Sequence, residues 1–553
     1  MSQRILGLLV AGLFSVSATA QTAAPATADA PAAKPAAKAA GKAAKAPATL
    51  GLVDKAVNAI GRSALSDART VVIRARTKHW EPDQSVKAGG EMRFAGDSTL
   101  VVSRDLISGA ARNEWKKSLQ YPSVREQSFS EVFSNGVGAV VGIDSNSRTK
   151  QNREATPPGH TMSTARASVT ARELARTSPV LLWEMAQNPK RVKSAGMQKA
   201  GGKSLPAVSY DAGIATFTVL FDPASGLPER IRTMDYDALQ GDSAYDLVLA
   251  DWRDAGGMRF PFKQSYQLNG RTVYETSVDA VEVNASLSLA LFSIPEALRP
   301  KQAPKLSMAG LSPQWIIRRQ FIGNLLDADA MFYDGSAVEG LRATDLANGV
   351  VHVTGGTHNT MLVEMDKFVV VFDAPIGERM SKATLEMAAK RFPGKPVKYV
   401  VLTHHHMDHT SGIRTFAAAG ATIVVGKGNG AFFRKAITSP DRLGAHSPKK
   451  AVKPSIIEVE SRWIITDGKR DVGAYVAENP HATALLIGYV PDAAVGFVTD
   501  IWSPGAGPLP AVANPSLQAV INTVRRFGLE PQRFAGGHGG VGSYADLARI
   551  SAQ

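Results

Sequence analysis

The chain has 553 residues, of which 44% are hydrophobic and 20% charged, a balance that excludes a wholly disordered polymer and allows two or three packed domains. It contains no cysteine, which excludes disulfides and a cysteine-borne lipid anchor. A formal charge of +14 raises nucleic acid as a partner, but no basic stretch is interleaved with aromatics, so nucleic acid is set aside and the excess is read as solubility and loose attraction to an anionic surface.

Arg4, an apolar run over residues 5–14 and Ala18-Thr19-Ala20 before Gln21 form the three parts of a secretory leader. The apolar run is too short to span a bilayer. Residues 1–20 are therefore expected to be removed on export, leaving a periplasmic or secreted chain without a transmembrane segment. Residues 21–48 are almost wholly Ala, Pro, Lys, Thr and Gly. They offer too little apolar area to offset ordering entropy, and Pro25, Pro31, Pro35 and Pro47 interrupt any Ala-rich helix, so a flexible tether is expected.

Residues 49–300 read as a β-rich α+β domain. Period-two patterns cover residues 70–76, 98–103 and 215–221, the last alternating Phe217, Val219 and Phe221 with Thr216, Thr218 and Leu220. Asn269-Gly270 between two strand-like runs predicts a type I′ hairpin. One helix is predicted over residues 164–187, with Leu174, Leu181, Leu182 and Met185 as apolar positions and Pro189 beyond its end. An antiparallel sheet with a helix packed on it follows. His79, Trp80, Trp115, Trp183 and Trp252 are read as core or interface. The run of turns, Asp222 to Pro228, Met258-Arg259-Phe260-Pro261, Asn269-Gly270, Val283-Asn284 and Phe292-Ser293-Ile294-Pro295, is similar to the half-barrel of periplasmic lipoprotein-carrier proteins. That resemblance implies a concave sheet around a helix, able to accept an apolar or acyl ligand. The alternative is a domain that positions or shields the rest.

Residues 301–348 connect the halves. Ser312-Pro313-Gln314-Trp315 followed by Ile316, Ile317, Phe321, Ile322, Leu325 and Leu326 suggests a helix between them. From residue 349 strands and helices alternate: strands over 350–353, 360–365 and 368–372, a helix over 379–392, and an apolar strand over 397–402. Asn514-Pro515 opens a last helix, with Gly528 as its stop.

Directly after the 397–402 strand comes Thr403-His404-His405-His406-Met407-Asp408-His409, a spacing of H-x-H-x-D-H. Side chains two apart at a strand end point to one side. His404 and His406 can thus converge on one ion while Asp408 and His409 reach a second. Nitrogen and oxygen donors without thiolate suit zinc, with manganese or iron also open. His405 should point away, as a supporting or exposed residue. Downstream, His481 in Glu478-Asn479-Pro480-His481, Asp500 after the run 495–499, and His538 in Gly536-Gly537-His538-Gly539 each follow a strand-like run.

This ordered set resembles the metallo-β-lactamase superfamily over about the last 200 residues. The resemblance implies an αββα four-layer sandwich over residues 349–553. It implies a first metal on His404, His406 and His481, a second on Asp408, His409 and His538, and Asp500 bridging both. Two zinc ions would make hydroxide available near pH 7 for attack on a carbonyl or phosphoryl centre, with Asp408 orienting the nucleophile and taking its proton. His358, in Gly355-Gly356-Thr357-His358, is a candidate substrate contact near the site mouth; Trp502 either lines the pocket or packs; His446 is read as solvated. The expected function is an exported binuclear zinc hydrolase of a small molecule, cleaving an ester, lactone, thioester or amide, a β-lactam among them. The alternatives are an iron-dependent sulfur dioxygenase and a periplasmic ligand-binding protein with a structural metal site.

Overall fold

The computed structural model describes residues 48–144, 155–323, 341–355, 358–444 and 452–552. The leader, nearly all of the tether, Leu325, Leu326 and His446 lie outside the described residues. Ala46–Gln553 form one compact unit, and among the described residues no helix is long and apolar enough to cross a membrane.

Among the described residues, thirteen strands between Thr70 and Val283 make one antiparallel sheet. Its middle is the pairing of the first strand, Thr70–Glu81, with the last, Arg271–Val283, in a register running from Val71 opposite Val283 to His79 opposite Tyr274. Successive strands run outward from each of these two, ending at Gly159–Thr161 on one side and Val192–Ala200 on the other. Period two sets the faces: along the first strand Ile73, Ala75, Thr77 and His79 are buried while Arg74, Arg76 and Lys78 are exposed. Asn269 and Gly270 both take positive φ, 49° and 83°, as a type I′ turn requires. This open antiparallel sheet with helices on it is the α+β half-barrel the turn pattern suggested.

The helix expected over residues 164–187 is two helices, Thr164–Arg176 and Leu181–Gln187. Pro179 lacks the N–H that would continue the ladder and disfavours helical geometry at Ser178. The first helix buries arginines more than leucines. Arg166, Arg172 and Arg176 are each at most 3% exposed. Arg166 donates to Glu131 at 2.7 Å and Asp144 at 2.8 Å, Arg172 to Asp235 at 2.7 Å, and Arg176 to the carbonyls of Ile231 and Tyr245. Buried charge persists because each guanidinium is matched. Between this helix and the sheet lies a cavity of about 190 Å³, walled mainly by Ile73, Leu100, Val102, Tyr266, Val278 and Phe321. Lys117 also lines it, and burial lowers the Lys117 pKa to about 7.

The connecting helix, Pro313–Phe321, is buried. Trp315 and Ile316 pack with Val351 and Leu362 of the following half, and Arg318 meets Glu81 at 3.3 Å.

Among the described residues, the C-terminal half contains a seven-stranded sheet running in chain order from Arg342–Ala347 to Ile456–Val459, and a six-stranded sheet from Arg462–Thr466 to Val541–Ser543. Phe372, Val401 and Val424 of the first pack against Ala474, Leu486 and Phe497 of the second. Helices Glu378–Arg391, Ile413–Ala418 and Gly430–Thr438 cover the outer face of the first sheet, and Pro515–Phe527 covers that of the second. This is the αββα sandwich. Strand Val369–Phe372, covered on both faces, is buried at every position, as a central strand of such a layer must be. The last helix begins and ends on the expected signals: the Asn514 side chain accepts from the Leu517 N–H at 2.9 Å, and Gly528 takes φ 61°.

Candidate metal centre

Strand Val397–Val401 lies parallel between Val369–Phe372 and Thr422–Gly426, and its end carries the histidine cluster. Asp373, ending the neighbouring strand, holds the turn: it accepts from the Thr403 N–H at 2.7 Å and from the Thr403 hydroxyl at 2.9 Å. Because that hydroxyl hydrogen is committed, Thr403 Oγ1 can only accept from His404 Nδ1, 3.2 Å away. His404 therefore presents Nε2 as its free lone pair. Asp373 also lies 3.3 Å from His409 Nδ1, which likewise leaves His409 Nε2 facing inward.

Two sets of side chains each bring one ligand atom per residue within 4.8 Å of one another: His404, His406, His481 and Asp500, and His358, Asp408, His409 and His538. In the first, His481 Nε2 lies 3.3 Å from His404 Nε2 and 3.0 Å from His406 Nδ1. Asp500 faces both sets with different oxygens. Its Oδ2 is 2.9 Å from His481 and 3.5 Å from His404; its Oδ1 is 3.0 Å from both His409 and His538. The structure thus gathers all seven residues of the ordered set in one place. His358 joins them: it is buried, with Nε2 3.2 Å from Asp408 Oδ2. Trp502 is buried against Phe534, ring centroids 5.6 Å apart. His405 is 1% exposed, with Nε2 2.8 Å from the Ser85 carbonyl.

The loops are shaped for this convergence. Asn479 Oδ1 accepts from the N–H groups of His481 and Ala482, an Asx turn that aims His481. Asn359 Nδ2 donates to the carbonyls of Gly536 and Gly539, both at 2.9 Å, tying down the loop of His538. A Cβ at Gly536 would sit 2.0 Å from the His538 carbonyl, so that approach needs glycine.

Burial lowers the pKa of His404 and of His358 to about 3 and holds His406 well below its ordinary value. At His409 burial acts the same way, but the carboxylates of Asp500 and Asp373 outweigh it and leave the pKa raised. Burial opposes charge on Asp408 and Asp500 too. Arg319 beside Asp408, and His409 and His538 beside Asp500, reverse that and keep both well below the carboxylate range. Ionised carboxylates, with His404, His406 and His358 held neutral, are the donor state a divalent cation needs, while at His409 and at His538, whose pKa Asp500 also raises, a cation would have to displace the proton. The donors are nitrogen and oxygen alone, which fits zinc and is also compatible with manganese or iron. His481 and His538, with side chains 17% and 28% exposed, mark the open side of the centre.

Several residues at the site carry no recognisable sequence signal. Asp373 is legible only as the end of an apolar strand. The segment after strand Thr70–Glu81 has no motif at all, yet Gln84 Nε2 donates to Asp408 Oδ1 at 2.6 Å and the Ser85 carbonyl lies 3.0 Å from His406 Nε2. Tyr121 donates to Gln84 Oε1, and Arg319 lies 3.4 Å from Asp408 Oδ1.

Residues 353–538 match the model of the metallo-beta-lactamase superfamily. A linear primary-alkylsulfatase from Pseudomonas sp. is 35% identical over 83 residues, which is 13% of this chain and 12% of that protein. The match thus spans only about an eighth of that relative's length. Among solved structures, a metallo-beta-lactamase from Pontibacter korlensis aligns over 38% of this chain and 95% of its own, with 17% identity and a TM-score of 0.30. The stereoselective inverting sec-alkylsulfatase from Pseudomonas sp. aligns over 38% and 40%, with 16% identity and a TM-score of 0.29.

Proposed function

We propose that this chain, whose residues 353–538 form a metallo-β-lactamase-superfamily domain, is an exported zinc-dependent hydrolase that holds two ions and cleaves an ester, lactone, thioester or amide, with a β-lactam and an alkyl sulfate among the candidates. The observation that carries this reading is Asp500, one carboxylate whose two oxygens face two separate sets of imidazoles. His404, His406 and His481 would hold the first ion, Asp408, His409, His538 and His358 the second, with Asp500 between them. Ions so held would lower the pKa of water to about 7 and polarise the bond to be cleaved. The chain's own residues supply the rest. Asp408 would orient the attacking water and accept its proton, and the layers around the site would exclude bulk water from all but the side of His481 and His538. The leader pattern supports a periplasmic or secreted setting, and the alkylsulfatase stretch adds a sulfate ester to the substrate panel. The cavity on the first sheet, with its apolar walls, supports an apolar or acyl ligand there.

The test is metal analysis of the purified protein followed by a panel of aryl esters, lactones, thioesters, a cephalosporin and an alkyl sulfate, comparing the parent with His406→Ala. Two zinc ions per chain and turnover lost in the variant support the reading. Bound iron without hydrolysis would replace it with the dioxygenase, and turnover unchanged by His406→Ala would remove the centre from the reaction.

A further inference from the structure

The histidine cluster is not closed by its own half of the chain alone. Strand Thr70–Glu81 leads into a segment that reaches the centre from the N-terminal sheet. There Pro82 to Ser85 are buried, with Gln84 1% and Ser85 3% exposed. Four contacts join this segment to the cluster. The Met407 N–H donates to the Asp83 carbonyl at 3.3 Å. The Ser85 carbonyl lies 2.8 Å from His405 Nε2 and 3.0 Å from His406 Nε2. Gln84 Nε2 donates to Asp408 Oδ1 at 2.6 Å, across 324 positions of sequence. Beyond Ser85, the Thr483 N–H donates to the Val86 carbonyl at 2.8 Å, tying the segment to the loop that carries His481.

These contacts determine which atoms the cluster presents. A carbonyl can only accept, so both His405 and His406 carry their proton on Nε2. His406 is left with Nδ1 unprotonated, and that atom lies 3.0 Å from His481 Nε2, inside the first set. On Asp408, Oδ1 is engaged by Gln84 and faced by Arg319 at 3.4 Å, while Oδ2 is turned toward His358 in the second set. Gln84 is itself oriented, because Tyr121 donates to its Oε1 and so leaves the amide nitrogen pointing at Asp408.

We infer that Gln84, held by Tyr121, is a positioning residue for Asp408 at the second metal, and that Ser85 sets His406 as an Nδ1 ligand of the first, so that the N-terminal sheet is a built part of the metal centre. The inference rests on reading the two sets as metal sites. His405, between His404 and His406, then ligates neither ion and anchors the segment instead.

The experiment uses the full-length protein loaded with zinc and measures the affinity of each ion by competition with a chromophoric chelator, alongside thermal denaturation. In Gln84→Ala and Gln84→Glu, neither of which can donate to Asp408 at neutral pH, one of the two ions is expected to lose 10- to 100-fold in affinity, while the other stays within about twofold. Tyr121→Phe, which keeps the ring and removes only the hydroxyl behind Gln84, should lose less than Gln84→Ala at the same ion. A residue that merely filled space would lower the melting temperature and leave ion affinities at the parent's values, and that result in Tyr121→Phe and Gln84→Glu overturns the inference. A parent that holds no ion would instead overturn the metal reading on which it stands.

Discussion

On the two-ion reading proposed above, stripping the ions should lower the melting temperature by an amount that can be worked out beforehand. An ion bound only by the folded chain stabilises it by about 4 kcal/mol when free metal stands at 1,000 times its dissociation constant. Unfolding entropy near 60 °C is about 2.1 cal/mol/K per residue, which over the roughly 500 residues of the compact unit comes to about 1 kcal/mol/K. Each ion is therefore worth about 4 °C, and both about 8 °C. The assay is a thermal melt of the zinc-loaded protein with and without dipicolinate, with metal content read on the same samples. Asp500→Ala removes a side chain that faces both sets, so its chelator-dependent shift should fall to about half the parent's or less. A parent that carries transition metal yet melts within about 1 °C of its chelated form would refute the reasoning. So would an equal shift in Asp500→Ala, because the ions would then reside elsewhere.

His481→Ala, which removes a donor of the first set only, should lower zinc from two ions per chain to one by elemental analysis. Gly426→Ala would place a Cβ 1.9 Å from the Ala484 carbonyl, beside the His481 loop; overpacking of this kind costs about 1–3 kcal/mol, readable by urea unfolding together with weakened metal retention. Lys117 gives a pH test. Burial lowers its folded pKa to about 7 from 10.5, so between those values the unfolded chain binds more protons and the parent's stability rises with pH. Lys117→Met should abolish that rise. The variant should be the more stable below pH 7, by at most ~5 kcal/mol, and the difference should vanish above pH 10.5.

What the sequence disclosed was local. The cluster from His404 to His409 could be read because strand geometry alone puts alternate side chains on one side, and the Asn269-Gly270 hairpin because only certain residues tolerate its dihedrals. His481, Asp500 and His538 came from order along the chain and a family likeness, not from periodicity. The unreadable part was everything carried by partners distant in sequence. Arg166, Arg172 and Arg176 look like a solvated helix face until Glu131, Asp144, Asp235 and the carbonyls of Ile231 and Tyr245 are brought to them. His405 could be read only as pointing away, supporting or exposed, because its partner, Ser85, stands 320 positions away. Gln84 is one ordinary amide in an irregular segment, and no pattern in its neighbours announces Asp408.

The pairing of Thr70–Glu81 with Arg271–Val283 has a consequence for the order of events during synthesis. Each wing of the sheet is a meander of neighbours that can zip as it emerges, but the seam joining them waits for a strand made about 200 residues later. Closing a loop of that size costs about 5 kcal/mol of chain entropy, and contacts of such long range set slow folding rates. The segment that touches His406 and Asp408 hangs directly from the end of that seam. On the proposed reading, ion capture in its final form is thus a late event in the life of a nascent chain, following closure of a sheet that contributes no residue to either set.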